Sequence, residues 1–153
     1  MLPRPLSPYA AGKLAGEHYV AVYAKTMGLD GVSLRYFNIF GPRQDPSSPY
    51  SGVISKFATV LRQGERPVVF GDGLQTRDFT YVDNAVAANL AAMRSPAPVG
   101  GEAVNVGTGT RVSLLDLIAA INRALGTSLE PRFEPSRAGD VRDSLASLDR
   151  VRA

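Results

Sequence analysis

Cysteine and tryptophan are absent from the 153 residues, and His18 is the single histidine. Without cysteine there is no disulfide framework, no thiolate nucleophile and no cysteine-based metal site, and the chain suits a reducing compartment. The cytoplasm is therefore the expected location. One histidine supports neither a Ser-His-Asp triad nor a histidine metal cluster, so no metal is expected, and His18 reads as structural or solvated within a helix. No run approaches the ~20 apolar residues that span a bilayer, and the opening Met1-Leu2-Pro3-Arg4-Pro5 is too short and proline-broken for a signal peptide. This argues against a membrane partner. The 17 Lys and Arg exceed the 14 Asp and Glu to give a formal charge of +3, but they are scattered, with no basic run to engage nucleic acid. Separate arginines suit small anions better.

What is present is a 44% hydrophobic composition, enough for one sizeable core, with 15 Gly and 11 Pro marking many tight connections. The most informative stretch is Ser7-Pro8-Tyr9-Ala10-Ala11-Gly12-Lys13. Ser7 is a helix cap, Pro8 fits the first helical position, and positions i and i+4 share a face, so Tyr9 and Lys13 point the same way. A phenol beside an ammonium is a proton-transfer pair, because the positive charge favours the phenolate, and a lysine also bonds ribose hydroxyls. Taken alone, the pair is a weak signal, since Tyr and Lys four apart more often sit on an ordinary amphipathic helix.

The first helix is predicted over 8–27, broadly apolar and closed by Gly28, followed by a strand over 31–37. Helix then strand is half of a parallel α/β unit. A breaker-rich loop at 41–49 marks a domain crossing or a substrate-facing loop, and a second helix follows over 52–62. Strands are predicted at 67–70 and 75–81 about a turn at 71–73, with Arg77 on the second. Asp83 is expected to cap a closely packed Ala-rich helix over 84–93. A strand at 103–106 precedes a helix opened by Ser113 and Asp116 and closed by Gly126, and 130–133 reads as an edge strand. Gly107-Thr108-Gly109-Thr110-Arg111-Val112 invites reading as a dinucleotide fingerprint. Its third glycine is replaced by Val112, the gap before the helix is too long and no acidic residue follows at the required distance, so a structural turn is expected. The segment 137–143 either presents Arg137 and Asp140 to a polar ligand or is a solvated loop. Ser147 is expected to cap a last helix.

Five segments then stand in one order: S-P-Y-A-A-G-K, L-R-Y-F-N-I-F-G-P-R, V-V-F-G-D-G-L-Q-T-R-D-F-T-Y-V-D, V-N-V-G-T-G and R-A-G-D-V. Together they resemble the C-terminal part of extended short-chain dehydrogenase/reductases, specifically nucleotide-sugar epimerases of the UDP-glucose 4-epimerase type. The resemblance implies an α/β fold, with a remnant of the Rossmann-like NAD(P)-binding sheet at 1–40. A small α/β substrate-binding domain over most of 41–153 is implied beside it, with 82–125 returning to the sheet. It implies NAD as cofactor and a nucleotide sugar, a UDP-sugar above all, as partner. Tyr9 is implied as catalytic acid/base and Lys13 as its partner and ribose ligand, with Phe37 beside the nicotinamide. Asn38 is implied to bond the diphosphate, Arg77 and Arg137 together to hold the diphosphate and its ribose, Asp140 to contact the ribose, and Phe70 to pack on the base. Arg35 and Tyr36 are expected to be structural. The family reaction passes through a transient 4-keto sugar that turns over before hydride returns to its other face.

Only eight residues precede Tyr9, and the family's G-x-x-G-x-x-G turn lies far upstream of that tyrosine. The expectation is a fragment lacking the cofactor-binding half and the extreme C-terminus, with negligible NAD affinity and no turnover by itself. Such a piece leaves apolar surface on the first helix and on the Val32 and Val104 strands, which favours a homo-oligomer. Alternatives are a 4,6-dehydratase or reductase of the same family, or a non-catalytic nucleotide-sugar binding module or subunit. Gly12 stands where the family has Ser or Thr.

Overall fold

The computed structural model describes residues 3–48, 52–137 and 139–150. The Ser7 hydroxyl accepts the Ala10 amide at 3.1 Å and Pro8 follows, which starts helix α1 (Pro8–Met27); Gly28 ends it in the left-handed conformation. Strands β1 (Ser33–Tyr36) and β2 (Ile39–Phe40) lead to helix α2 (Val53–Arg62). Three short strands, β3 (Val68–Phe70), β4 (Thr76–Arg77) and β5 (Thr80–Tyr81), precede helix α3 (Val82–Met93). Strands β6 (Ala103–Val106) and β7 (Val112–Ser113), helix α4 (Leu114–Leu125) and strand β8 (Arg132–Glu134) complete the order.

The strands join in pairs. β1 and β6 are parallel, with Ser33 opposite Ala103 and Tyr36 opposite Val106. β2 with β5 and β3 with β8 are also parallel, while β4 and β7 run antiparallel. Parallel strands beside helices make this an α/β fold, as the sequence predicts. The segment 82–125 is divided: β6 pairs with β1, whereas α4 packs on α2.

The core lies where α2 and α4 cross over β3. Phe57 and Leu61 are one turn apart on α2, Leu114, Leu117 and Ile118 share a face of α4, and Val69 fills the floor between them. Ser113 caps α4 reciprocally: its oxygen accepts the Asp116 amide at 3.0 Å and its hydroxyl donates to the Asp116 carboxylate at 2.6 Å. By contrast α1 buries no side chain. Its C-terminal half rests on the turn before β6, where a Cβ on Gly101 would stand 2.6 Å from the Ala21 Cα, and Gly101 has a φ of 78°. Only glycine fits that approach.

Three expectations change. The strand predicted over 75–81 is two strands, because Asp78 turns into the interior and breaks the ladder between Arg77 and Thr80. Asp83 lies inside the first turn of α3 without capping it, and the Ala-rich α3 buries only Ala85 among its residues. Ser147 caps no helix; its hydroxyl donates to Asp149 at 2.7 Å, and residues 147–150 form a loop and turn. The remainder of that expected helix, 151–153, lies outside the described residues. Among the described residues no helix is long and apolar enough to cross a membrane, and no group of three or more His, Cys, Asp or Glu could hold a metal.

Candidate functional site

Tyr9 and Lys13 stand on α1 above an open cavity of about 580 Å³, walled by the Pro3–Pro5 segment, Leu14, Glu17 and Arg35. The Lys13 ammonium lies 5.4 Å from the centroid of the Tyr9 ring, so a cation and a phenol share one mouth. Tyr9 is 69% exposed and accessible to a ligand. Behind them Arg35, projecting from β1, donates from Nε to Glu17 Oε1 at 2.8 Å and from Nη2 to Oε2. This forked contact holds the Glu17 carboxyl below its usual range and Arg35 above its own.

A second cavity, of about 270 Å³, collects Phe70, Arg77, Arg137 and Asp140, with Lys56 and Gln75 beside them. The Arg137 guanidinium carbon lies 3.6 Å from the Phe70 ring centroid. Residues 68–77 are brought to this wall by β3, the turn at 71–73 and β4. The tail that carries Arg137 and Asp140 is laced to the same elements. Arg142 donates to both oxygens of Asp72 at 2.9 Å, Thr76 donates from its hydroxyl to Asp143 at 2.6 Å, and the Ser144 amide reaches the Thr76 carbonyl. The Arg142 contact, led by its hydrogen bond, lowers the Asp72 carboxyl. Residues 142–144 are thus docked onto that wall. Three cations against one carboxylate suit an anionic ligand, and an aromatic face suits a ring.

The predicted residues therefore gather in two places rather than in one cleft. Tyr9 and Lys13 line the first cavity, Phe70, Arg77, Arg137 and Asp140 the second, and the two share no lining residue. Phe37 and Asn38 line neither. Phe37 is half-buried and its amide donates to the Val106 carbonyl at 3.0 Å. Asn38 is exposed at a φ of 30°, and its carboxamide nitrogen donates to the Asp78 carbonyl at 3.0 Å, while its side-chain oxygen accepts no hydrogen bond among the described residues.

The glycine-rich turn after β6 is a structural turn. The amides of Thr108 and Gly109 donate to the Asp78 carboxylate at 2.8 and 2.9 Å, the Thr108 hydroxyl does so at 2.8 Å, and a Cβ on Gly107 would stand 2.8 Å from Asp78 Oδ2. Those donors are committed to a carboxylate of the chain itself and cradle no pyrophosphate. Sequence reasoning missed Gln75 and Lys56 in the second cavity, Glu17 in the first, and Asp78 beneath both Asn38 and the glycine turn. Of these only Glu17 carried a signal, its i+8 spacing from Tyr9.

Residues 1–107 match the NAD dependent epimerase/dehydratase family model. The chain is 45% identical over 149 residues to the UDP-glucose 4-epimerase of Mycolicibacterium smegmatis, covering 97% of itself and 46% of that relative. A UDP-glucose 4-epimerase from Thermotoga maritima, solved with UDP-glucose, superposes with a TM-score of 0.91 at 38% identity, covering 99% of this chain and 48% of that one. A UDP-N-acetylglucosamine 4-epimerase from Methanobrevibacter ruminantium, in complex with UDP-N-acetylmuramic acid, gives 0.91 at 40% identity over 97% of this chain and 47% of its own. The chain spans about half the length of the relatives it matches.

Proposed function

Because the chain belongs to the NAD dependent epimerase/dehydratase family, we propose that it supplies the proton-transfer pair and the nucleotide-sugar grip of a cytoplasmic UDP-sugar 4-epimerase. The carrying observation is the convergence of Phe70, Arg77, Arg137 and Asp140 on one cavity. In this reading Arg77 and Arg137 grip the diphosphate as planar forks, Phe70 offers its ring to the base and Asp140 accepts from ribose hydroxyls. Asn38, with its free oxygen, orients the ligand where it leaves the cavity, and the sugar extends from there to the mouth at Tyr9. Tyr9 takes the proton from the sugar C4 hydroxyl and later returns it to the same oxygen. Lys13 stabilises the phenolate between those two transfers. A fixed diphosphate and an unclamped sugar let the ring present either face.

The described residues fit one end of NAD and not the other. Lys13 and Tyr9, at an open mouth, suit the nicotinamide ribose, with Phe37 on the adjoining strand, whereas the one glycine-rich turn resembling a pyrophosphate cradle is filled by Asp78. When bound, NAD supplies the hydride acceptor and donor. These 153 residues alone are accordingly expected to hold the nucleotide sugar without holding NAD tightly.

Titration calorimetry with UDP-glucose tests the grip. Arg77→Ala and Arg137→Ala are each expected to weaken binding by at least about tenfold, as for loss of a charge-assisted hydrogen bond, while Tyr9→Phe stays within about twofold. Unchanged affinity in both arginine variants would remove the second cavity from the reading.

A further inference from the structure

Tyr9, Lys13 and Glu17 follow at i, i+4 and i+8, so they form one column on α1, and all three line the same cavity as Arg35. Lys13 therefore has a phenol one turn before it and a carboxylate one turn after it. An ammonium four residues before a glutamate is within reach of an ion pair along the helix, although glutamate before lysine is the stronger order. Lys13 forms no ion pair among the described residues, and its Nζ lies against the Tyr9 ring at 5.4 Å. Arg35 occupies both Glu17 oxygens with its fork. Other charged groups near this column are Arg4, on the cavity wall, and His18, beside Glu17 on the helix, while Asp149 and Arg150 share a neighbouring cavity with Arg35 and Pro3. Lys13 does not line that neighbouring cavity and forms no ion pair with Asp149 among the described residues.

We propose that Arg35 is a positioning residue: by engaging both oxygens of Glu17 it withholds that carboxylate from Lys13 and keeps the ammonium turned to Tyr9. Its consequence for catalysis rests on the reading of Tyr9 and Lys13 as the proton-transfer pair. Its geometry does not. A purely structural role, pinning α1 to β1, would make loss of either partner equivalent. Withholding makes the two losses opposite, since removing Arg35 frees a competing carboxylate and removing Glu17 abolishes it.

The ring current of Tyr9 reports where Lys13 points. The full 153-residue chain contains three lysines, so the Lys13 ε-methylene protons are readily assigned by NMR, with Tyr9→Leu defining the unshifted position. Arg35→Met is expected to lose at least half of the upfield shift, whereas Glu17→Gln and the double variant Arg35→Met/Glu17→Gln retain it. An unchanged shift in Arg35→Met overturns the proposal, as does an equal loss in Glu17→Gln or a persisting loss in the double variant. Should circular dichroism show Arg35→Met unfolded, Arg35→Lys decides. It leaves one Glu17 oxygen free, so an intermediate shift supports the proposal and the wild-type value overturns it. No nucleotide enters this measurement, so its failure is separate from failure of the calorimetric test.

Discussion

Asp78 shows how much one side chain organises. It is 0% exposed and accepts from the Thr108 amide and hydroxyl, the Gly109 amide and, at 3.2 Å, the Ala146 amide. It thereby ties the β4–β5 break to the glycine turn and to the tail that carries Arg137. Burial pushes its carboxyl up, but the hydrogen bonds from Thr108, Gly109 and Ala146 outweigh burial and leave it below the usual range. A folded-state value below the unfolded value of about 3.9 means that the stabilisation is complete above that pH and is lost as pH falls through the lower, folded value. Asp78→Asn would set an amide group against these donors and is expected to cost about 2–4 kcal/mol at pH 7. Urea unfolding at pH 7 and below about pH 4 checks this, with the gap between the two proteins narrowing in acid; equal midpoints at pH 7 would contradict it. None of this was legible beforehand. In T-R-D-F-T-Y an aspartate reads as the outward polar residue of a continuous strand, and its partners lie about 30 and 68 residues away.

Elements were read best where their ends are set by local chemistry. α1 and α4 begin at Ser7 and Ser113 and stop at Gly28 and Gly126, as the capping residues predict. Asp83 misled because α3 starts directly out of β5, with Tyr81 at the cap position, so the aspartate is already inside the first turn. The placement of Arg137 and Asp140 beside Phe70 and Arg77 depended on family resemblance, since no local pattern brings a tail to a strand some sixty residues earlier. The interior of α1 permits a stability prediction. Gly12 lies in the helix on the turn between Tyr9 and Lys13, and a Cβ there meets nothing within 4 Å. Gly12→Ala is therefore expected to stabilise the chain by roughly 0.5–1 kcal/mol through helix propensity alone, with UDP-glucose affinity unchanged. A rise in the urea midpoint with an unchanged slope is the expected signature; a fall would reveal a contact at that face.

Across the whole molecule, burial is uneven. The side chains of α2, β3 and α4 interlock, whereas α1, the longest helix, buries none and exposes Tyr19, Val22 and Met27 at 67%, 54% and 72%. What holds α1 is the glycine approach at its C-terminal half and the Glu17–Arg35 fork nearer its start. The fork is part-buried but is a single contact, and an unburied helix gains little from water exclusion, so α1 should open locally well before the core unfolds. The Tyr9–Lys13 pair consequently sits on a weakly anchored element, and Arg77 and Arg137 on a better anchored wall. Amide hydrogen exchange followed by mass spectrometry is expected to give α1 protection at least about tenfold lower than α4 at micromolar concentration. If the exposed apolar face of α1 drives self-association, that protection should climb with protein concentration while α4 stays constant. Concentration-independent protection of α1 equal to that of α4 would show instead that this helix is held by the monomer itself, and the division between a loose α1 and a firm α2–β3–α4 core would fall.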